Sequence, residues 1–306
     1  MARAPTRRII HSLNERVIEW LLFLAAASSV FVTIGIVVVL TEESYAFFKF
    51  LWDEGRLAEF FTTTRWTPGF AEENFGILPL VNATFMIAGI ALLVAVPFGL
   101  TTAIYLSEFA SSRARETIKP LLEVVSEVPT VVYGYFALLF VTPLLKATLF
   151  PEISGFNALA AGLVVGVMII PYIASISEDA MRAVPMSLRE GSYAMGSTRL
   201  ETAVNVVLPA AISGVIAACI LGISRAVGET MIVKLAAGNQ PVMSANPLDS
   251  METITGFIVR ISQGDLPYGS HAFLSVFAAG LTLFAMTLSF NLVAYWMRQR
   301  YREQYE

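Results

Sequence analysis

The chain has 306 residues, of which 56% are hydrophobic and 14% charged, with a mean hydropathy of +0.67 and a net charge of −4. That balance excludes an ordinary soluble domain and fits an integral membrane protein. The acidic surplus, with Glu72, Glu73, Asp249 and Glu252 in loops between apolar runs, argues against nucleic-acid binding as a main role.

Crossing about 30 Å of hydrocarbon takes about 20 helical residues. Six apolar runs meet this need, at residues 20–41, 78–106, 124–150, 157–177, 206–237 and 271–297. Continuous runs, rather than short alternating segments, favour helices over a barrel. The predicted fold class is therefore all-α, a polytopic membrane protein with six transmembrane helices.

The arm 1–19 precedes the first run and carries Arg3, Arg7, Arg8 and Arg16. A secretory signal peptide is the rival reading there, with small residues from Ala25 to Ser28 for cleavage, but the run continues unbroken to Leu40 and favours an uncleaved anchor. With the N-terminus inside, the inner segments hold thirteen basic residues, including Arg113, Arg115, Lys119, Arg182, Arg189, Arg199, Arg298, Arg300 and Arg302. The outer segments hold only Lys49, Arg56, Arg65, Lys146 and Arg260. Both termini are thus expected in the cytoplasm, which requires an even number of spans.

The first outer loop, about 41–77, carries Phe47, Phe48, Phe50, Trp52, Phe60, Phe61 and Trp66, which predicts an interfacial amphipathic helix. The second, about 238–270, is rich in Pro, Asn and Gly, with one short helix expected near 251–261. Pro97, Pro129, Pro143 and Pro171 fall inside spans, where each frees a backbone carbonyl. Small residues at Ala88, Gly89, Ala91, Ala158, Ala161, Gly162 and Gly166 permit close helix approach. Cys219 lies alone in an apolar run, as a packing residue.

The fifth run contains ILGISRAVGETMIV, residues 220–233, which places Arg225 and Glu229 in the membrane. On a continuous helix their spacing puts them on one face, where they pair. Arg225 would then lie about 24 Å up the helix from Pro209. Two readings compete: a neutral pair that fixes register, and a lining of a translocation path in which Arg225 offers forked donors to an oxyanion and Glu229 holds it when the site is empty. Ser224, Gly228 and Thr230 lie beside the pair. Lys234 turns to nearly the opposite side and reads as a snorkelling lysine. Glu127 sits at an inner helix end, either solvated or near a path, and Tyr133 and Tyr135 read either as interfacial anchors or as polar groups of a pore. His11 and His271 fall on opposite sides, which excludes a His-based metal site within one chain. No GxxxxGK[ST] occurs, so any ATPase is a separate chain.

Between the fourth and fifth runs lies EGSYAMGSTRLETAVNVVLP, residues 190–209. Glu190, small Gly191 and Ser192, then Gly196, then Val206, Leu208 and Pro209 resemble the EAA signature of ABC-importer permeases, with Gly and Ser for two alanines and Val for Ile. Four further blocks are similar to the C-type permease subunit of the Pst phosphate importer: VAVPFGLTTAIYLSEFA (94–110), EVPTVVYGYFALLF (127–140), IPYIASISEDAMRAVPMSLREGSYAMGSTR (170–199) and SRAVGETMIV (224–233).

The resemblance implies a type I ABC-importer permease fold in a bacterial or archaeal cytoplasmic membrane. Its divisions would be an arm 1–19, a first helix and loop 20–77, a five-helix core 78–297 with the coupling loop at 178–205, and a tail 298–306. It implies phosphate import by alternating access, with a homologous second permease, an ATPase dimer that binds ATP and Mg, and an extracytoplasmic phosphate-binding protein. Arg225 and Glu229 take the places of the Arg and Glu needed for phosphate transport. Import of molybdate or sulfate, or a gradient-driven secondary transporter, are the competing functions.

Overall fold

A computed structural model describes the backbone of residues 5–265 and 267–300, and the side chains of these except 5–14, 265 and 298. Residues 1–4 of the predicted arm, with Arg3, and 301–306 of the predicted tail, with Arg302, lie outside the described residues.

Helix α1 runs from Pro5 to Asp53. No proline interrupts it after Pro5, and it carries straight through the predicted loop boundary at residue 41. It leans on α14 (His271–Arg300) and otherwise presents bare apolar side chains such as Leu22, Phe31 and Val32, as expected of a lipid-facing helix. Short α2 (Leu57–Thr62) follows.

The centre of the molecule is α3 (Leu78–Ile104) packed along α7 (Ala158–Arg182), the most extensive helix contact in the fold. Small residues make it possible. A Cβ on Gly162 would stand 2.7 Å from Ile90, and one on Gly166 2.8 Å from the Ala91 carbonyl oxygen. Such backbone proximity is what replaces hydrophobic drive between helices in lipid. Gly89, expected in the same role, faces open space. Ala88, Ala91, Ala95, Ala161, Val165 and Ile169 are buried in this seam.

Helix α3 ends in a π-helical turn, Tyr105–Phe109, and α4 (Ser112–Ser126) then lies outside the bundle core with no buried residue. The predicted third span, 124–150, is shorter than expected. Residues 124–126 belong to α4, and Pro129 caps α5 (Thr130–Phe136) rather than kinking a helix. Its ring fixes φ near −65° and lacks an N–H, so it suits a helix start. A π-helical turn, Ala137–Val141, joins α5 to α6 (Thr142–Thr148), with Pro143 in the first turn of α6. Pro97 and Pro171 do sit inside α3 and α7.

After α7 come α8 (Met186–Ala194), α9 (Arg199–Thr202), a π-helical turn Ala203–Val207, α10 (Leu208–Ala210), α11 (Ile212–Val227), α12 (Met231–Ala236), α13 (Ile254–Arg260) and α14. Helix α13 falls inside the short helix expected at 251–261. Among the described residues, five helices are long and apolar enough to cross a membrane, and six spans result if the bent pair Arg199–Ala210 and Ile212–Val227 counts as one.

The aromatics of the first outer loop do not form an amphipathic surface helix. Phe47, Phe60, Trp66 and Phe75 are buried together with Phe257 of α13, in edge-to-face contacts such as Trp66–Phe257 at 5.1 Å. Folding the loop back onto α13 and α14 offers these rings more apolar contact than a headgroup layer would. Trp52, Phe61 and Phe70 stay exposed. His271 stacks on Phe50 at 3.7 Å.

Candidate functional site: a broken helix and a coupling turn

The predicted fifth span, 206–237, is not one helix. Its two halves meet at 75° around Ala211, so Pro209 and Arg225 do not share an axis and the 24 Å expectation lapses. Arg225 instead lies 13 residues along α11 from Ile212, about 20 Å at the α-helical rise.

Helix α11 then stops at Val227, with Gly228 as its C-cap, and α12 restarts at Met231. Arg225 and Glu229 are therefore not on one helix face, and no ion pair joins them. The reason is a competing partner. The buried Glu229 carboxylate accepts from the backbone N–H groups of Met231 at 3.0 Å and Ile232 at 3.2 Å. These first-turn donors have no intrahelical acceptor, and a carboxylate there also meets the positive end of the helix dipole. The Thr255 hydroxyl of α13 donates to the Glu229 carbonyl at 2.7 Å and holds the break open.

Among the described residues, no carboxylate forms an ion pair with Arg225. Its guanidinium carbon lies 4.3 Å from the centre of the Tyr172 ring of α7, and its Nε is buried with no hydrogen-bond partner. A cation–π contact satisfies the charge only partly and leaves the forked donors unspent. Ser224 donates to Asn291 Oδ1 of α14 at 3.3 Å, Thr230 donates to the Gly228 carbonyl at 3.1 Å, and Lys234 of α12 donates to Asn239 Oδ1 at 2.7 Å. Glu127 is exposed at the end of α4, and the Tyr133 hydroxyl is tied to the Val125 carbonyl at 2.9 Å.

The EAA-like segment forms a helix and a tight reversal. Pro185 caps α8, which presents Glu190 and Gly191 on its exposed side, with nothing within 4 Å of a Cβ built on Gly191. Ser192 points the other way, its hydroxyl 2.9 Å from that of Thr202. Gly196 has φ +87°, the left-handed conformation that a glycine adopts at no steric cost. Thr198 then opens α9 with a reciprocal capping box to Glu201. The backbone and hydroxyl hydrogen bonds of Thr198 hold the Glu201 carboxyl below its usual range. Pro209 is exposed in α10, a short helix and a π turn beyond the reversal.

Around this turn, some charged groups are inside and some apolar groups outside. Arg189 is buried against Glu108 at 3.0 Å, and Glu178 is fully buried between Arg115 at 2.7 Å and Lys119 at 2.8 Å. Met186, Tyr193, Leu200 and Met195 are exposed, the last to 87%. Glu108, Glu178 and Tyr172 were not among the predicted site residues. A signal for Glu178 was present, since Arg115 and Lys119 are four apart on α4 and Glu178 and Arg182 four apart on α7. At the opposite end, clefts of about 590 and 550 Å³ separate the two long loops and share Trp66, Phe70 and Pro241.

The family model described as binding-protein-dependent transport system inner membrane component matches residues 95–303, the segment that holds both the broken helix and the reversal at Gly196. The chain belongs to this family of permeases. A probable ABC transporter permease of Bacillus subtilis strain 168, YqgH, is 36% identical over 242 residues, covering 79% of this chain and 78% of that protein. The phosphate transport permease PstC of Xylella fastidiosa strain 9a5c is 31% identical over 254 residues, covering 77% and 76%. PstC of Mesorhizobium japonicum is 32% identical over 262 residues, covering 79% and 78%.

Among solved structures, a bacterial ABC transporter for import of the polysaccharide alginate aligns with a TM-score of 0.63 at 15% identity, over 96% of this chain and 100% of its own. The inward-facing methionine ABC transporter MetNI aligns at 0.54 and 16%, over 74% and 95%. These two bear on fold alone. The chain is thus a multi-pass permease subunit of an ABC importer, not itself an enzyme, and the gradient-driven alternative falls.

Proposed function

We propose that this permease moves inorganic phosphate into the cytoplasm, with Arg225 as the oxyanion-binding group on its path. The observation that carries the proposal is the guanidinium of Arg225, in a span, with no carboxylate partner and an orphaned Nε beside the ring of Tyr172. A charge in that setting is costly unless something else completes it, and a tetrahedral oxyanion offers the acceptors that the fork lacks. Glu229, in contrast, shapes the site by capping α12. The Gly228–Thr230 break lets a ligand approach the backbone next to Arg225, with Ser224 and Thr230 at its edges. The PstC relatives support phosphate over other oxyanions.

In this reading the face that bears Glu190, Gly191 and Gly196 docks the ATPase, with Ser192 behind it fixing α8 to Thr202, and both termini share its cytoplasmic side. ATP and Mg2+ belong to the ATPase dimer, whose closure would push α8 and rock the spans around the break. A homologous permease completes the path. A phosphate-binding protein delivers from the opposite end, where the two clefts between the long loops lie.

The test is ATP-driven, binding-protein-dependent uptake of labelled phosphate into proteoliposomes holding the full complex. Arg225→Gln should cut uptake about a hundredfold, the roughly 3 kcal/mol carried by lost charge-assisted bonds, with assembly intact. Competition by unlabelled phosphate but not by sulfate or molybdate is expected. Uptake that survives in Arg225→Gln removes the arginine from the path, and equal competition by sulfate removes selectivity for phosphate over other oxyanions.

A further inference from the structure

The buried pair between Glu108 and Arg189 joins parts of the molecule that no secondary structure joins. Glu108 belongs to the π-helical turn that ends α3, and Arg189 sits on α8 one residue before Glu190. Their side chains are 4% and 9% exposed. The guanidinium donates from Nη2 to Glu108 Oε1 at 3.0 Å and from Nε to Glu108 Oε2 at 3.3 Å. It also donates to the Met181 carbonyl at 2.8 Å and the Val184 carbonyl at 2.5 Å. The Met181 carbonyl lies in the last turn of α7 and the Val184 carbonyl just beyond its C-cap, where the helix dipole favours a cation. Ser107 donates to Glu108 Oε1 at 2.7 Å, so both carboxylate oxygens are in use.

One guanidinium thereby binds the ends of α3 and α7, the central pair of the bundle, to the helix whose other side is bare. The rest of α8 is lightly held: of its residues only Arg189 is buried. We infer that the Glu108–Arg189 pair is the positioning element that carries displacement of α8 into α3 and α7, so that ATPase closure moves the spans. This rests on the reading that α8 docks an ATPase. Loss of the pair should let α8 move without the spans following. A purely structural pair would instead lower stability and leave the transport stoichiometry unchanged.

The measurement is the number of phosphate ions imported per ATP hydrolysed by the full complex in proteoliposomes, alongside ATPase co-purification and thermal stability. Glu108→Gln keeps the shape and removes the charge, and Arg189→Lys keeps the charge but cannot reach Glu108 and both carbonyls together. In each, the ratio should fall about fivefold or more while the ATPase remains bound and hydrolyses ATP. Glu108→Asp should recover part of the ratio. The exchange Glu108→Arg with Arg189→Glu should recover none, because a carboxylate at 189 would face the Met181 and Val184 carbonyls. An unchanged ratio in an assembled Glu108→Gln complex overturns the inference, as does full recovery by the exchange. If Arg189→Lys does not assemble, the Glu108→Gln and Glu108→Asp comparison decides. A wild-type complex that binds no ATPase overturns the docking reading itself, a separate outcome.

Discussion

The two ends of the bundle differ in what dominates their interiors, although the aromatic end also holds one fully buried carboxylate, Glu252, paired with Arg260. At one end, Phe47, Phe60, Trp66, Phe75 and Phe257 bury their rings against one another, and the long loops close over them. At the other, Arg189, Glu108 and Glu178 are buried in salt bridges while Met186, Tyr193, Met195 and Leu200 are exposed. Apolar burial holds a surface that is complete in itself, whereas ions inside and methionines outside leave a surface that awaits a partner. The first arrangement tolerates wide clefts between loops, since the rings beneath supply the stability. The second ties each helix end by directional bonds and leaves α8 free to be gripped.

The sharpest way to break this contrast is to hollow out the aromatic end. Phe75→Ala removes a ring in contact with Phe47 and Trp66, and a loss of about 3–5 kcal/mol is expected. Thermal unfolding in detergent should show it as the largest drop of the set, with ATPase co-purification unaffected at temperatures where the fold survives. At the charged end, Glu178→Gln removes the buried negative charge that Arg115 and Lys119 share and leaves one amide oxygen in its place. Both cations keep water access, so the cost is expected at about 1–3 kcal/mol, below that of a sealed pair. Hydrogen exchange should quicken in α4 before it does in α13.

A smaller effect sharpens the coupling turn. Gly196→Ala forces a side chain into φ +87°, at a cost of about 1–2 kcal/mol. The expected readout is weaker ATPase co-purification with little change in the melting temperature of the bundle.

The smallest effect is one of pH at the aromatic end. The Arg56 hydrogen bond, assisted by the Phe75 N–H, holds the Glu59 carboxyl below its usual range. A carboxyl lowered on folding stabilises fully above its unfolded pKa, about 4.3, and loses that contribution as pH falls through the lower folded value. Acidification below about pH 4 should therefore loosen the α2 loop, and Glu59→Gln should abolish that part of the pH dependence. Exchange of the Phe75 amide reports it directly.

How much of the site was legible in the chain follows the range of the interactions. Gly196, Thr198 and Glu201 act on neighbours, so the turn after α8 could be read from local spacing. The six long apolar runs likewise announced the membrane spans, because length against hydrocarbon thickness is a one-dimensional criterion. Pro129 was legible as a disruption and not as a cap, since its role depends on where α4 stops.

What the sequence by itself determined was an all-α membrane protein, its spans to within a few turns, and the family signature at the coupling turn. Tertiary structure alone decided that Arg225 and Glu229 part company. A four-residue spacing predicts a pair only if the helix continues, and here continuation loses to the cap on α12 and to the bond from Thr255, 26 residues further along the chain. The same holds for Arg189, which reads as an ordinary basic residue of an inner loop until α3, from 81 residues away, brings Glu108 against it. Hydrophobicity is additive along a chain and so can be read from it, whereas the partner of a buried charge is fixed by which helix ends meet in space.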